Sequence, residues 1–262
     1  MKKKAVNISF NSLQEMSDWI EKTPRTERGE IYKASIREGE ERRKFSGTET
    51  YAEADALLRG GDTDNARKIL AASSDVKASG TTNRNRLYNS PCGFMPIVPR
   101  VLAGVPENML AIRKEEYKNT KVLNVIYNTT AGHRVPTDAI IKTSASVASA
   151  IKTLEKNGYR VNLHVANFVY MNSTPVYIAV KIKDAGQYFD SLRVAYPLIN
   201  PSFLRRHIFA VMERIKDVEL PGGYGAVMED YDAARYAPKD TKYLSFYKCR
   251  GRSADKIIEL VK

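Results

Sequence analysis

The chain has 262 residues, enough for one large domain or two modest ones, and too many to depend on disulfide staples. Its 42 Lys and Arg against 30 Asp and Glu leave a net charge of +12, which favours anionic partners, and a 43% hydrophobic content with 9% aromatics excludes wholesale disorder. Cys92 and Cys249 stand far apart outside any CxxC pair, so neither a zinc site nor a disulfide framework is indicated and a reducing compartment is expected.

The opening MKKKAVNISF is basic, but Asn7, Ser9, Asn11 and Ser12 interrupt the apolar run a secretory leader needs, and no export is expected. The longest apolar runs, such as 176–180 and 208–212, fall far short of the roughly 20 residues that cross a bilayer. Residues 1–86 are expected to form a helical N-terminal region with a linker. Leu13, Met16, Trp19 and Ile20 lie on one helical stripe that starts at Asn11 or Ser12. Between Arg25 and Lys44 charges of both signs surround few large apolar residues, the composition of a solvated helix or mobile linker. Ser46-Gly47-Thr48 makes a turn, Thr50 and Glu53 form a capping box, and a helix from Tyr51 to Arg59 is closed by Gly60-Gly61. A short helix from Asp62 or Thr63 through Leu70 follows, then a polar loop from Ala71 to Arg86. Residues 87–119 form a proline-rich strap, expected to lie extended over the next domain because proline removes backbone donors.

Residues 120–262 change pattern. Val122 to Tyr127 is a β-prone run, Pro136-Thr137-Asp138 opens a helix that ends at Asn157-Gly158, and Val161, Leu163 and Val165 alternate with polar residues in a second strand. Strand, helix and strand make a βαβ unit with parallel strands. Val176 to Ile182 supplies a third strand, and Asn200-Pro201 starts a helix with Phe203 or Leu204, Ile208, Val211, Met212 and Ile215 apolar. Further β-prone pieces lie at Tyr224 to Met228 and Tyr243 to Tyr247. The expected fold class is α/β, a mostly parallel sheet sandwiched by helices.

In such sheets ligands bind beyond the carboxyl ends of the strands, which singles out the loop 127–134, with Asn128, Thr129, Thr130 and Arg134 as candidate binding residues. This strand, polar loop and small-residue helix resemble the opening of a von Willebrand factor A-type domain, a Rossmann-like fold whose Asp-x-Ser-x-Ser loop holds a divalent cation. Here Asn128, Thr130 and Gly132 replace the acid and the two hydroxyl residues, so no metal is expected. Arg205 and Arg206, about 100° apart on their helix, could clamp a phosphate or carboxylate; otherwise one covers apolar surface and the other pairs with Asp184 or Asp190. His133, His164 and His207 have no metal-ligand or catalytic spacing, and His164 is expected at the surface or a sheet edge. Gly222 to Gly225 is expected to be a hairpin-like turn, and no phosphate-binding glycine loop is present. No catalytic residue and no cofactor are assigned.

Trp19, the Phe45-Ser46-Gly47-Thr48 turn, Glu53-Ala54 with Gly60-Gly61, the segment Pro96 to Pro106, 180–187 and 201–209 together resemble uncharacterised proteins of tailed bacteriophages. The resemblance implies a viral origin, with the host cytoplasm or the virion as location. Residues 121–262 hold 21 basic against 13 acidic side chains, but these are spread along the chain, consistent with generic rather than sequence-specific attraction to nucleic acid. The function expected is non-enzymatic binding to viral proteins, in a particle or its assembly, or to nucleic acid. The alternatives are a metal-dependent enzyme acting on nucleic acid through Asn128, Thr129, Thr130 and Asp138, Asp184 or Asp190, and a host-directed antagonist.

Overall fold

A computed structural model describes residues 4–71, 81–118, 121–218, 220 and 223–262, with the backbone alone for 81–85 and 114–118. The chain opens with strand β1 (Val6–Phe10), followed by helices α1 (Leu13–Lys22), α2 (Glu27–Tyr32), α3 (Glu40–Ser46), α4 (Tyr51–Gly60) and α5 (Thr63–Ala71). The caps are those expected: the side chains of Ser12 and Thr50 accept the backbone N–H groups of Glu15 and Glu53. Next come β2 (Thr81–Ser90), β3 (Met95–Pro96), α6 (Val98–Leu102) and β4 (Met109–Lys118). The remainder runs β5 (Val122–Asn128), α7 (Thr137–Lys156), β6 (Arg160–Met171), β7 (Thr174–Lys183) and α8 (Ser191–Ile199), then a π-helical turn (Phe203–Ile208) that continues as α9 (Phe209–Met212). The chain closes with β8 (Ala226–Val227), α10 (Asp230–Tyr236), β9 (Thr241–Ser245), α11 (Phe246–Cys249) and α12 (Ala254–Val261).

The fold is α/β with a mostly parallel central sheet in the order β1-β7-β6-β5-β9, and β8 paired to β6. β5 is parallel to both β6 and β9, and β1 is parallel to β7. The third expected strand, β7, is antiparallel to β6. Its hairpin turns at Asn172 and Ser173, both at positive φ, which suits the right-handed twist of the two strands. His164 is on β6, between β5 and β7, so it is not at a sheet edge; burial and the nearby Lys181 lower its pKa.

Alternation along the strands decides where the helices go. Val125, Tyr127, Val161, Leu163, Val165, Ile178 and Val180 join one core cluster with Met16 and Ile20 of α1, Ala54 of α4, Ile69 of α5 and the inner stripes of α7, α8 and α12. The opposite face carries Ile126, Ala166, Phe168, Tyr177 and Ala179 beneath Ala233 of α10, while Asn124 and Asn162 bond each other farther along that face. The helices are therefore unevenly divided: among the described residues this second cluster takes its helical members from α10.

The segment 25–44, expected to be solvated or mobile, is tied down. Thr26 donates from both its amide and its hydroxyl to the Glu213 carbonyl, and a Cβ on Gly29 would stand 2.0 Å from that oxygen. The buried Glu213 carboxylate accepts from Arg25 Nε (2.8 Å), from the Ser35 amide and hydroxyl, and from Tyr224 (2.6 Å). Arg214 donates to the carbonyls of Ile20 and Thr23. With β1 in the central sheet, residues 4–71 share the core of the C-terminal half.

Residues 81–86, expected as loop, belong to β2, which pairs antiparallel with β4 over ten residue pairs from Thr81 and Lys118 to Ser90 and Met109. Residues 72–80 of that expected loop, and Gly222 of the expected turn, lie outside the described residues. The proline-rich segment is not extended throughout: it caps the β2–β4 ribbon, where β3 pairs with β4 and Pro99 enters the first turn of the short helix α6, where no amide partner is required. Gly93 is required at this tip, since a Cβ would stand 2.1 Å from the Leu110 carbonyl.

Candidate functional site

The strands β5, β6, β7 and β9 lie in the order third, second, first, fourth, so the sheet reverses its winding between β5 and β9. A crevice beyond the carboxyl ends of strands at such a reversal is the usual ligand position. Asn128 ends β5 there, beside Ser245 at the end of β9.

The polar loop after β5 is bonded internally. Asn128 Oδ1 accepts the Thr130 amide (3.0 Å) and its Nδ2 donates to the Tyr243 hydroxyl (2.9 Å). Tyr243 and Ser245 in turn donate to the two oxygens of Asp230, at 3.1 and 2.8 Å. Burial, foremost, raises the Tyr243 pKa, which keeps the phenol protonated as a donor. Thr129 donates from its amide to the Ala166 carbonyl (2.9 Å), and Thr130 Oγ1 accepts both Asn167 Nδ2 and the Phe168 amide (2.9 Å each). The three candidates 128–130 are thus buried together, whereas Arg134 is exposed. Asp184 follows the antiparallel β7 and lies at the opposite end of the sheet from Asn128, Asp190 caps α8, and Asp138 is exposed in the first turn of α7. Among the described residues there is no cluster of three His, Cys, Asp or Glu able to hold a metal ion.

Beside this loop is a cavity of about 500 Å³. Residues 130–133 form one wall, and Asn167 and Val169 of β6 a second. Leu204, Arg205, Phe209 and Met212 form a third, closed by Tyr224, Val227 and, from the N-terminal region, Arg42 and Phe45. The rings of Phe209 and Tyr224 stack at 3.8 Å and 6°.

The two candidate arginines diverge at the π-helical turn, a deformation common at functional sites. Neither pairs with Asp184 or Asp190, and neither reaches solvent, because both are buried. Arg206 donates to four carbonyls, those of Ser35, Arg37, Thr48 and Glu49, at 2.6–2.9 Å, and is a clamp on the N-terminal region. Arg205 reaches the cavity instead: its guanidinium lies 4.1 Å from the Phe45 ring centroid and donates to the carbonyls of Phe45 and Val135. Burial alone lowers its pKa to about 10. Sequence patterning missed Asp230, Tyr243, Ser245, Asn167, Arg42 and Phe45 as neighbours of the loop. They come from four distant stretches of chain, and only the parallel β5–β9 pairing and the folded-back N-terminal region unite them.

A second surface is the tip of the β2–β4 ribbon. Phe94, Val98 and Leu102 are 60%, 60% and 83% exposed, and Met95, Val101, Leu87 and Ile112 are also exposed. Leu87 and Ile112 are directly paired, so both stand on one face of the ribbon; Arg86 and Arg113, paired one step away, stand on the other. No helix among the described residues is long and apolar enough to cross a membrane.

No curated protein and no solved structure matches the chain. A family described as Domain of unknown function (DUF7192) matches residues 1–262, and with the match covering the whole chain, the protein belongs to that family.

Proposed function

We propose that the chain is a non-enzymatic bacteriophage protein that acts by binding, as a component of the particle or of its assembly, and that it docks through the ribbon tip. The observation that carries this reading is the concentration of exposed apolar side chains, from Phe94 to Leu102, on a projecting three-stranded element. Contiguous apolar surface of this kind marks interaction sites, since burying each such side chain in a partner gains about 1.5–3 kcal/mol. The parallel trio β6-β5-β9, with the winding reversed between β5 and β9, supports a von Willebrand A-type, Rossmann-like sheet as the scaffold.

Mass spectrometry of purified virions against infected-cell lysate tests it. The chain is expected in the particles, and a variant carrying Phe94→Asp, Val98→Asp and Leu102→Asp, with unchanged circular dichroism, is expected to be excluded from them. Wild-type chain in the lysate and not in particles would favour a host-directed antagonist.

Association with nucleic acid is favoured by one observation: Arg86 and Arg113 lie opposite each other on the ribbon face that also carries Tyr88. Retention on a DNA column at about 50 mM salt, lost by about 300 mM, is the expected signature of phosphate neutralisation. A metal-dependent enzyme is tested by calorimetry with magnesium and manganese.

A further inference from the structure

We propose that the cavity beside residues 130–133 binds a small organic anion, a carboxylate or phosphate ester that carries an apolar body and a hydrogen-bond donor. The charge on its walls has one sign. Arg42 and Arg205 both contribute, their guanidinium groups 5.8 and 4.1 Å from the same Phe45 ring centroid. No carboxylate is present among its described lining residues.

Arg205 is 2% exposed, and among the described residues no acidic side chain is within ion-pair distance of it. Buried cations are ordinarily paired, because an isolated charge in a poorly solvated site is costly. Two carbonyl bonds engage two of its five N–H donors and the Phe45 ring faces its guanidinium, but no anion balances its charge. Its neighbour Arg206, also without an acidic partner among the described residues, differs in that four carbonyls surround its guanidinium, away from the cavity. An anion entering between Arg42 and Arg205 would supply the missing charge through short, charge-assisted bonds.

The other walls define the rest of the ligand. Leu204, Met212 and the stacked Phe209 and Tyr224 offer apolar surface. Asn167 is 1% exposed, and its Oδ1, on the cavity side of the sheet, accepts no hydrogen bond. A ligand hydroxyl or amine would satisfy that acceptor. Thr130 Oγ1 already accepts two bonds, which leaves its proton free to donate to the anion.

Calorimetric titration of the full chain with 3-phenyllactate, with 4-aminophenyl phosphate and with benzyl alcohol tests the site. At least one of the two anions is expected to bind saturably, one per chain, with Kd below about 1 mM, and the stronger of them identifies carboxylate or phosphate as the preferred group. Benzyl alcohol, which keeps the ring and the hydroxyl, is expected to bind at least tenfold more weakly. Arg205 also bonds backbone, so the charge is tested at the rim: Arg42→Gln is expected to weaken the anion about tenfold, the loss of one charge-assisted bond worth roughly 1.4 kcal/mol. Val227→Trp, on the wall, is expected to abolish binding while the circular dichroism is unchanged. Failure of both anions to bind at 10 mM, equal binding of benzyl alcohol, or unchanged affinity in either variant would overturn the proposal.

Discussion

At the scale of single residues, the buried charges of the π-helical turn and its continuation carry the attachment of the N-terminal region. Arg206 is fully buried with its guanidinium among four carbonyls, so Arg206→Met would take the donor from those of Ser35, Arg37 and Glu49, while Thr48 keeps the Ser46 hydroxyl. Each unsatisfied buried group costs about 1–3 kcal/mol, and even with partial rehydration the variant is expected to lose about 3 kcal/mol or more in urea unfolding. Arg193→Met, at a side chain 87% exposed, is the control, with a change within about 0.5 kcal/mol. His207 adds a pH dependence. Its Nδ1 is 2.8 Å from the Tyr196 hydroxyl, Phe203 stacks on its ring, Tyr51 lies across it, and Asp55 of α4 stands 3.9 Å from Nε2. Burial lowers its pKa and outweighs the opposing pull of Asp55, while Arg206 and Arg59 lower it further. The folded protein therefore holds a neutral imidazole where the unfolded chain takes a proton. This contribution is complete above the ordinary histidine value near 6.5 and is lost as pH falls from there toward the folded pKa, by at most about 1.4 kcal/mol per pH unit. Urea midpoints at pH 7.5 and 5.5 should fall with acidity in the wild type, and His207→Gln should flatten the difference; His164, its pKa also lowered by burial, accounts for a remaining slope. An equal slope in both proteins would show that His207 takes no part.

Among the elements, the β2–β4 ribbon and the body obey different rules, and so they differed in how much their sequence revealed. The alternation in 161–165 and the helix 137–156 were legible because each buries one face against a core, and burial imposes a period, while the Thr50 cap was legible because its hydrogen bond to the Glu53 amide is local. The ribbon has Leu87 and Ile112 exposed on one face and Arg86 and Arg113 on the other, so no apolar period marks its strands and the polar Asn, Thr and Arg content looks like loop. Helix α8 was missed because Pro197 lies inside it, where a missing amide argues for a break. The lower core dependence of the ribbon makes its tip separable. Ser90 pairs directly with Met109, so replacing residues 91–108 by Asn-Gly offers a two-residue hairpin turn of suitable twist. That variant is expected to unfold within about 1 kcal/mol of the wild type, because the removed side chains were already in water. A larger loss would show that the tip packs on the body.

Across the whole molecule, the candidate site and the stability share one cause, the return of residues 4–71 onto the second half. Composition gave no sign of it, since 25–44 is mixed-charge and thin in apolar residues; its anchors are Glu213, Arg214 and Arg206, charged groups whose value lies in carbonyls and amides they meet after folding. The loop 128–130 follows β5 as the strand pattern implies, while the cavity beside it draws in Arg42 and Phe45 from far earlier in the chain. A fragment of residues 120–262 would retain β5 to β9 but lose β1 beside β7, and it would lose Met16, Ile20, Ala54, Ala66 and Ile69 from the common core. At about 1.5–3 kcal/mol for each large side chain, those losses alone approach the 5–15 kcal/mol that holds a typical domain together. Arg206 and Glu213 would also be left buried without the partners that 25–49 supply. The fragment is therefore expected to show no sharp urea transition and little near-ultraviolet circular dichroism, while the full chain unfolds in one step by both probes. Cooperative unfolding of the fragment at a midpoint near that of the full chain would mean that the N-terminal region rests on a finished domain instead of completing it.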